Sequence, residues 1–527
     1  MPNLVRKAVK LFDRQGPLLV LLSILLLLRF PNLFEPYWYT DEGIYLTVGQ
    51  GIKHGRRLYT GIFDHKTPII YYLATVPNQF WFRVLNIGWM TVTTVFFYRL
   101  AKKLLADKTW SWVSTLVFVL FTSLPLFEGN IPNGELFAMG FVLAGANLLV
   151  DTDHFGWLTT ATEVSVEQRP LLFSSGVLFG LGILTKVPAL LDFAAFLAIG
   201  WFHFTHRVFS RERRLRSSLR LVLSRSLWLG LGVSTPIVLS IIYFVAIGSG
   251  QDYLQYGLLY NLHYTSSWQT NIDPEWLTGF FDLRIKLVLL SAFFASLTVA
   301  SRVLTHRSKF LFGWLALALF GVTLSGRPYA HYYQQVAPAS CLLVGYIGQR
   351  VASHRVNRLE LQDATERLLF VLMMGLIITL ALVSDLHSYP AFAYYQDFWH
   401  YITGRNDRQD YYQRFNPAMK DTYEVAEYIR SHGEKEVFIW GDNPMLYALS
   451  KSIPVGRFTV SFHIKDIGAY ASTMTRIEQV EPNIIVVMND ETGQFDGFYQ
   501  YLHHNYHLEK EYECMRLYLR DTFESEN

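Results

Sequence analysis

Residues 16–30 read GPLLVLLSILLLLRF, an apolar run with no charge before Arg29. Arg6, Lys7, Lys10 and Arg14 precede it, so the start of the chain looks like a secretory signal. Arg29-Phe30-Pro31-Asn32 follows in place of a small-x-small cleavage site, and further apolar segments come after it. The run is therefore expected to be a retained anchor with its N-terminus in the cytoplasm.

Working outward, similar apolar segments of about 16–22 residues recur, roughly the length that crosses a bilayer. They predict about eleven crossings, near 17–35, 84–101, 110–127, 134–150, 171–186, 188–204, 226–247, 284–303, 310–325, 332–349 and 368–386. The bulk figures agree: of 527 residues, 51% are hydrophobic and only 17% are charged, and the mean hydropathy is +0.20. A soluble chain of this length carries more charge.

The net charge of +3 says less than its distribution. Alternate loops hold Lys102, Lys103 and Lys108, then Arg207, Arg211, Arg213, Arg214, Arg216, Arg220 and Arg225, then Arg302, Arg307 and Lys309, then Arg350, Arg355, Arg358 and Arg367. The intervening loops hold Lys53, Arg56, Arg57, Lys66 and Arg327, with Lys186 at a hairpin tip. By the positive-inside rule the first set faces the cytoplasm, which places the C-terminal part outside. The basic run 207–225 then reads as a topology determinant against anionic lipid, not as a nucleic-acid site, and no nucleic-acid partner is expected. Cys341 and Cys514 are too few and too far apart for a disulfide framework or a cysteine metal site.

Beyond residue 386 the pattern changes. Tyr423–His432 predicts a helix, Val437–Trp440 a buried strand, Pro444–Ser450 a second helix, Asn483–Met488 another buried strand and Tyr506–Arg520 a strand-like stretch. The expected organisation is a membrane module over 1–386, a linker over 387–409 and a small α/β domain over 410–527 outside the cytoplasm.

The loop over 36–83 carries the chemistry-bearing residues. From Tyr37 it reads YWYTDEGIYLTVGQGIKHGRRLYTGIFDHKTPIIYYL. Asp41 and Glu42 follow an aromatic patch that suits a membrane interface. Glu42–Lys53 predicts an amphipathic helix, and Thr40 or Asp41 is the expected N-cap. Asp41 thus reads either as a cap or as a functional acid, while Glu42 points about 100° away. Lys66, in Asp64-His65-Lys66-Thr67-Pro68, reads either as a snorkelling anchor or as a cation for a lipid-linked phosphate. Lys186, inside GLGILTKVPALL, needs a turn near Pro188 to bring its charge to the interface. Arg327 and His331, with Tyr329, Tyr332 and Tyr333, read either as a phosphate and isoprenoid site or as an interfacial aromatic belt. Glu128 and Glu135 flank a short turn, as substrate-positioning groups or as solvated loop acids. The aromatic stretch 250–283 suits sugar stacking or any interfacial loop.

Taken together, Arg29, Asp41-Glu42-Gly43-Ile44-Tyr45, Gly55 with Tyr59, Lys66-Thr67-Pro68, the lysine of Gly-Ile-Leu-Thr-Lys186 and the Arg327-to-Tyr333 stretch form a pattern. It resembles that of the bacterial GT-C glycosyltransferases of family 39, related to protein O-mannosyltransferases and lipid A aminoarabinose transferases. The resemblance covers about residues 1–386. It implies a polytopic GT-C fold in the cell membrane and an inverting transfer of a hexosyl or pentosyl group at its outer face. The donor would be a polyprenyl-phosphate sugar, and the acceptor a glycan, lipid or protein. Asp41 would be the general base. Lys66, Lys186, Arg327 and His331 would bind the donor phosphate, and Glu42, Tyr45, Tyr59, Asp64, His65, Glu135 and Tyr332 would contact substrate. With one phosphate to stabilise, no cofactor is required, and a divalent metal is allowed but not indicated. The rival expectation is a transporter or flippase of a lipid-linked or polyanionic substrate; such proteins place polar groups near the midplane on repeated or broken helices.

Overall fold

The computed structural model describes residues 2–152, 164–209, 215–261, 282–300, 304–325, 327, 329–353, 361–383, 390–491, 493 and 495–521. His263, Tyr264, Trp268, Asp273 and Trp276 of the expected aromatic loop lie outside them, as do the basic residues Arg211, Arg213, Arg214, Arg302, Arg355 and Arg358.

The chain opens on α1 (Pro2–Arg29), α2 (Thr40–Lys53), the short α3 (Ile69–Leu73), α4 (Gln79–Leu105) and α5 (Lys108–Ser123). There follow α6 (Gly134–Val150), α7 (Gln168–Thr185), α8 (Ala189–Phe209) and α9 (Leu215–Ala246), and later the long helices Leu283–Val299, His306–Thr323, Ala337–Ser353 and Leu361–Val383. Within the described residues, each apolar segment expected to span overlaps a helix, with ends shifted by several residues in places. Among the described residues, five stretches are long and apolar enough to cross a membrane: Gly16–Phe34, Gln79–Leu105, Ala189–Val208, Leu215–Ala246 and Gln362–Leu382. Gly134–Leu149 is apolar but shorter. These helices make the chain a membrane protein.

By its backbone contacts the chain divides into two compact units, Met1–Phe30 with Asn86–Ser240 and Leu262–Ala391, and Pro31–Leu85 with Ile241–Asn261 and Phe392–Asn527. The first is a helical unit. Its helices approach through small residues: a Cβ on Gly176 would lie 2.3 Å from the Leu229 carbonyl oxygen, and one on Gly232 would lie 2.2 Å from that of Phe173. Close packing of backbones, not hydrophobic expulsion from water, is what joins helices in lipid. Arg29 ends α1 fully buried, donating to Asn86 Oδ1 (2.7 Å) and to the carbonyls of Thr122 (2.6 Å) and Gly129 (2.7 Å). These acceptors offset the cost of burying its charge.

The second unit holds a five-stranded sheet, β1 (Glu436–Trp440), β2 (Ile453–Pro454), β3 (Ile484–Met488), β4 (Tyr506–Glu511) and β5 (Met515–Arg520), in the order β2-β1-β3-β5-β4. β1 runs parallel to β2 and β3, and β5 antiparallel to β3 and β4. Ile-Ile-Val-Val-Met of β3 is buried on both faces, as an unbroken apolar strand requires. One side packs with Phe438, Trp440 and Phe498, the other with Val425, Ile429 and Leu517. The single stretch expected over Tyr506–Arg520 is a hairpin, closed where the Tyr512 N–H donates to the Met515 carbonyl (2.8 Å).

The division differs from the expected one. The loop after the anchor belongs with the sheet and not with the helical unit. Its own bonds explain this: Phe63 N–H donates to the Arg457 carbonyl (2.7 Å), Thr47 Oγ1 to that of Pro444 (3.0 Å), and Gln50 Nε2 to that of Ser452 (2.6 Å). Arg56 also pairs with Glu436 at 2.8 Å.

Candidate active site

The cap of α2 lies one residue before the first of the two expected: Tyr39 is the N-cap, in an extended conformation and with no side-chain cap bond. Neither Thr40 nor Asp41 caps the helix. Asp41 instead occupies the first turn, where the helix dipole favours a negative charge. Its Oδ1 lies 3.1 Å from Lys66 Nζ and its Oδ2 accepts from Tyr45 Oη, one turn on, at 3.3 Å. Asp41 keeps 24% of its side chain exposed and Lys66 12%, so the pair is reachable from solvent. The Lys66 ammonium also sits over the Tyr45 ring, 4.8 Å from its centre.

Glu42 diverges from Asp41 as helical spacing demands. It is fully buried and accepts from Arg83 Nε (2.9 Å), Arg83 Nη2 (2.7 Å) and Gln79 Nε2 (3.0 Å). Arg83 also pairs with buried Glu35 at 3.2 Å. Expected as a substrate contact, Glu42 is committed to an internal ion pair.

Lys66 is fixed from behind. Tyr59 Oη donates to the Lys66 carbonyl (2.9 Å), the Lys66 N–H donates to Tyr71 Oη (3.0 Å), and Tyr71 Oη donates to Asp64 Oδ2 (2.6 Å). Asp64 Oδ2 is also 3.6 Å from Lys66 Nζ. Tyr59 has a left-handed backbone, φ 72°, a cost of about 1–3 kcal/mol that the packing around it must sustain. Its ring is wholly buried between Phe244 and Tyr253, at 5.3 Å from each. Tyr59 and Asp64, both expected at the substrate, are buried supports of Lys66.

His65 meets His463, which comes from the helix Ser461–Ile467. His65 Nδ1 and His463 Nε2 are 3.0 Å apart, and each is 3.1 Å from Asp64 Oδ1. Burial would push the Asp64 carboxyl up, but Lys66, His65 and hydrogen bonds from both histidines outweigh it and hold Asp64 well below the usual carboxylate range. Burial pushes His65 down to about 4. Three close contacts among two imidazole nitrogens and one carboxylate oxygen cannot all be hydrogen bonds, because each nitrogen carries at most one hydrogen. A cation among the three atoms would satisfy them together, and one oxygen with two imidazole nitrogens is a donor set suited to zinc. An ion there would neutralise Asp64 and tie the loop to the C-terminal segment.

The other expected residues lie in the helical unit. Lys186 ends α7 in an extended conformation, at the turn before α8. Its Nζ pairs with Glu135 Oε1 at 2.9 Å and lies 5.1 Å from the centre of the Tyr332 ring. Glu135 stands in the first turn of α6. His331, in the turn Ala330–Val336, bonds through Nδ1 to Glu128 Oε2 at 2.7 Å. Burial would lower His331, but Glu135 and Glu128 overcome it and raise its pKa above 6.5. Glu128 and Glu135 are thus partners of a histidine and a lysine, not solvated loop acids. The Arg327 N–H donates to Ser325 Oγ at 3.3 Å.

Two components were not foreseen. Arg83 looks like an ordinary basic residue at the start of a span, and nothing in its neighbourhood along the chain announces Glu42 and Glu35. His463 is 398 residues from His65, in a segment expected only to be α/β.

No protein-family model and no curated protein matches the sequence. Solved structures do. One is ArnT from Cupriavidus metallidurans bound to undecaprenyl phosphate, with TM-score 0.55 and 14% identity over 96% of this chain and 98% of that one. Another is the archaeal oligosaccharyltransferase AglB from Archaeoglobus fulgidus with an inhibitory peptide and a dolichol-phosphate, with TM-score 0.46 and 11% identity over 90% and 70%. The end-to-end match to ArnT, together with the helices described above, shows that this membrane chain has the GT-C glycosyltransferase fold.

Proposed function

We propose that the chain is an inverting glycosyltransferase that takes its sugar from a polyprenyl-phosphate donor at the outer face of the membrane. One observation carries the reading: a solvent-reachable carboxylate, Asp41, is held 3.1 Å from an ammonium, Lys66, whose backbone is clamped by Tyr59 and Tyr71. ArnT supports the donor class, since its structure holds undecaprenyl phosphate.

In this mechanism Asp41 takes the proton of the acceptor hydroxyl as its oxygen attacks the anomeric carbon. A new carbon–oxygen bond forms on one face of that carbon. The bond to the phosphate oxygen breaks on the other, and its electron pair leaves with the polyprenyl phosphate. Lys66 gives the departing phosphate a cation in place of Asp41. The family resemblance also assigns Lys186, which pairs with Glu135, and Arg327 and His331 to the donor phosphate. The transfer step uses no metal. The proposed topology has about eleven crossings, a cytoplasmic N-terminus and the C-terminal segment outside; the basic loops Lys102–Lys108 and Arg207–Arg225 support it.

The test uses the purified chain with a panel of polyprenyl-phosphate sugars. Asp41→Asn is expected to lose transfer by about 100- to 10,000-fold while donor binding persists. Unchanged transfer would remove Asp41 from the chemistry.

A further inference from the structure

A second feature of the sheet-containing unit takes no part in that mechanism. The segments around Leu33–Tyr37 and Asn78–Phe80 and the helices Arg408–Gln413 and Met419–Ser431 border a solvent-open cavity of about 610 Å³. Neither Asp41 nor Lys66 lines it. Its size lies within the range of sites for small ligands.

Four tyrosines, Tyr37, Tyr401, Tyr412 and Tyr423, line the cavity together with Arg408 and Arg430. The rings are fixed before any ligand arrives. Tyr37 Oη accepts from the Gln79 N–H (3.0 Å), and Tyr423 Oη accepts from the Tyr37 N–H (3.3 Å). Tyr412 and Tyr423 lie 5.2 Å apart, and Tyr401 stacks on Tyr411 at 4.6 Å. Burial raises the Tyr37 and Tyr423 hydroxyls, so both stay neutral.

The charges around the cavity are mostly spoken for. Glu35 pairs with Arg83 (3.2 Å) and accepts from Tyr394 Oη (2.5 Å). Glu427 pairs with Arg430 (2.5 Å). Arg408 has no carboxylate partner among the described residues; its guanidinium lies over the rings of Tyr412 (5.0 Å) and Tyr423 (5.9 Å). A hydrogen bond to Tyr412 also holds the guanidinium, and an arginine's five N–H donors leave others for a carboxylate or phosphate.

We propose that this cavity binds an anionic saccharide, with sugar rings laid on the tyrosine faces and a carboxylate or phosphate taken by Arg408. Flat, immobilised aromatic faces carry negative charge at their centres and suit the C–H face of a pyranose ring. A planar guanidinium can make two parallel bonds to a carboxylate. If the transfer proposed above is correct, the bound saccharide is part of the acceptor; that extension rests on the transfer reading, whereas the binding does not.

The test measures binding to the full chain in nanodiscs, with a glucuronate-containing hyaluronan tetrasaccharide as probe and maltotetraose as the neutral control. The acidic probe is expected to bind at least tenfold more tightly than the neutral one. Arg408→Gln and Tyr412→Ala should each weaken it at least tenfold with unchanged melting temperature, and Arg408→Lys should recover part of the loss. Asp41→Asn should bind the probe like the parent chain, so failed transfer and failed saccharide binding are read apart. Equal binding of the two probes, no effect of Arg408→Gln, or competition by phosphatidylglycerol vesicles that abolishes saccharide binding would each overturn the proposal.

Discussion

Arg83 grips Glu42 through two nitrogens, at 2.9 and 2.7 Å, while Asp41, the residue before Glu42, turns to Lys66 at 3.1 Å. Two adjacent acids thus have opposite fates. One is sealed in a buried pair that holds α2 against the start of α4; the other stays in reach of solvent.

Breaking that buried pair leaves Glu42 and Glu35 without their cation. Arg83→Met is expected to destabilise the unit by about 3–5 kcal/mol, seen as a large drop in melting temperature, before any effect on chemistry is measurable. A stability change under 1 kcal/mol would mean that the pair behaves like a surface one.

Lys66 is expected to matter for the donor more than for the fold. Lys66→Ala should lower kcat/KM for a polyprenyl-phosphate sugar by about 10- to 100-fold, the size of one charged hydrogen bond, and Lys66→Arg should recover part of it. Equal losses in the two variants would show that shape at this position counts, not charge.

His331 supplies a pH dependence. Its folded pKa is raised above 6.5, so the protonated ring stabilises the fold. That contribution is complete below about pH 6.5 and disappears as pH rises through the raised value. The melting-temperature gap between the parent chain and His331→Gln should therefore be widest near pH 6 and shrink toward pH 9. A constant gap would mean that the ring titrates alike in the folded and unfolded chain.

The triangle of Asp64, His65 and His463 is expected to retain one divalent ion per chain, measured by elemental analysis of the purified protein. His463→Ala should remove the ion and lower the melting temperature, and a chelator should reproduce the second effect in the parent chain. A metal-free protein indifferent to chelator would leave the three as a hydrogen-bonded group.

Much of this architecture was legible along the chain because its signals are local. A helix in lipid announces itself by an unbroken apolar run such as 16–30, and β3 by Ile-Ile-Val-Val-Met. The divergence of Asp41 and Glu42 followed from helical geometry alone. Caps are less legible: the helix starts at Thr40, so the expected cap role for Asp41 was off by a residue or two, the usual uncertainty of a helix end.

The apolar helices, the strands β1 and β3, and the cluster of acids and bases in one loop were thus set by sequence alone, because hydrophobic periodicity and chain neighbourhood act over a few residues. Which acid is sealed and which is open, and which histidine meets His65, were decided only by the tertiary structure. Burial and pairing depend on what packs alongside: Arg83 lies 41 residues beyond Glu42, and His463 lies 398 beyond His65. No local pattern encodes contacts at such separations; they exist only once the chain has folded around them.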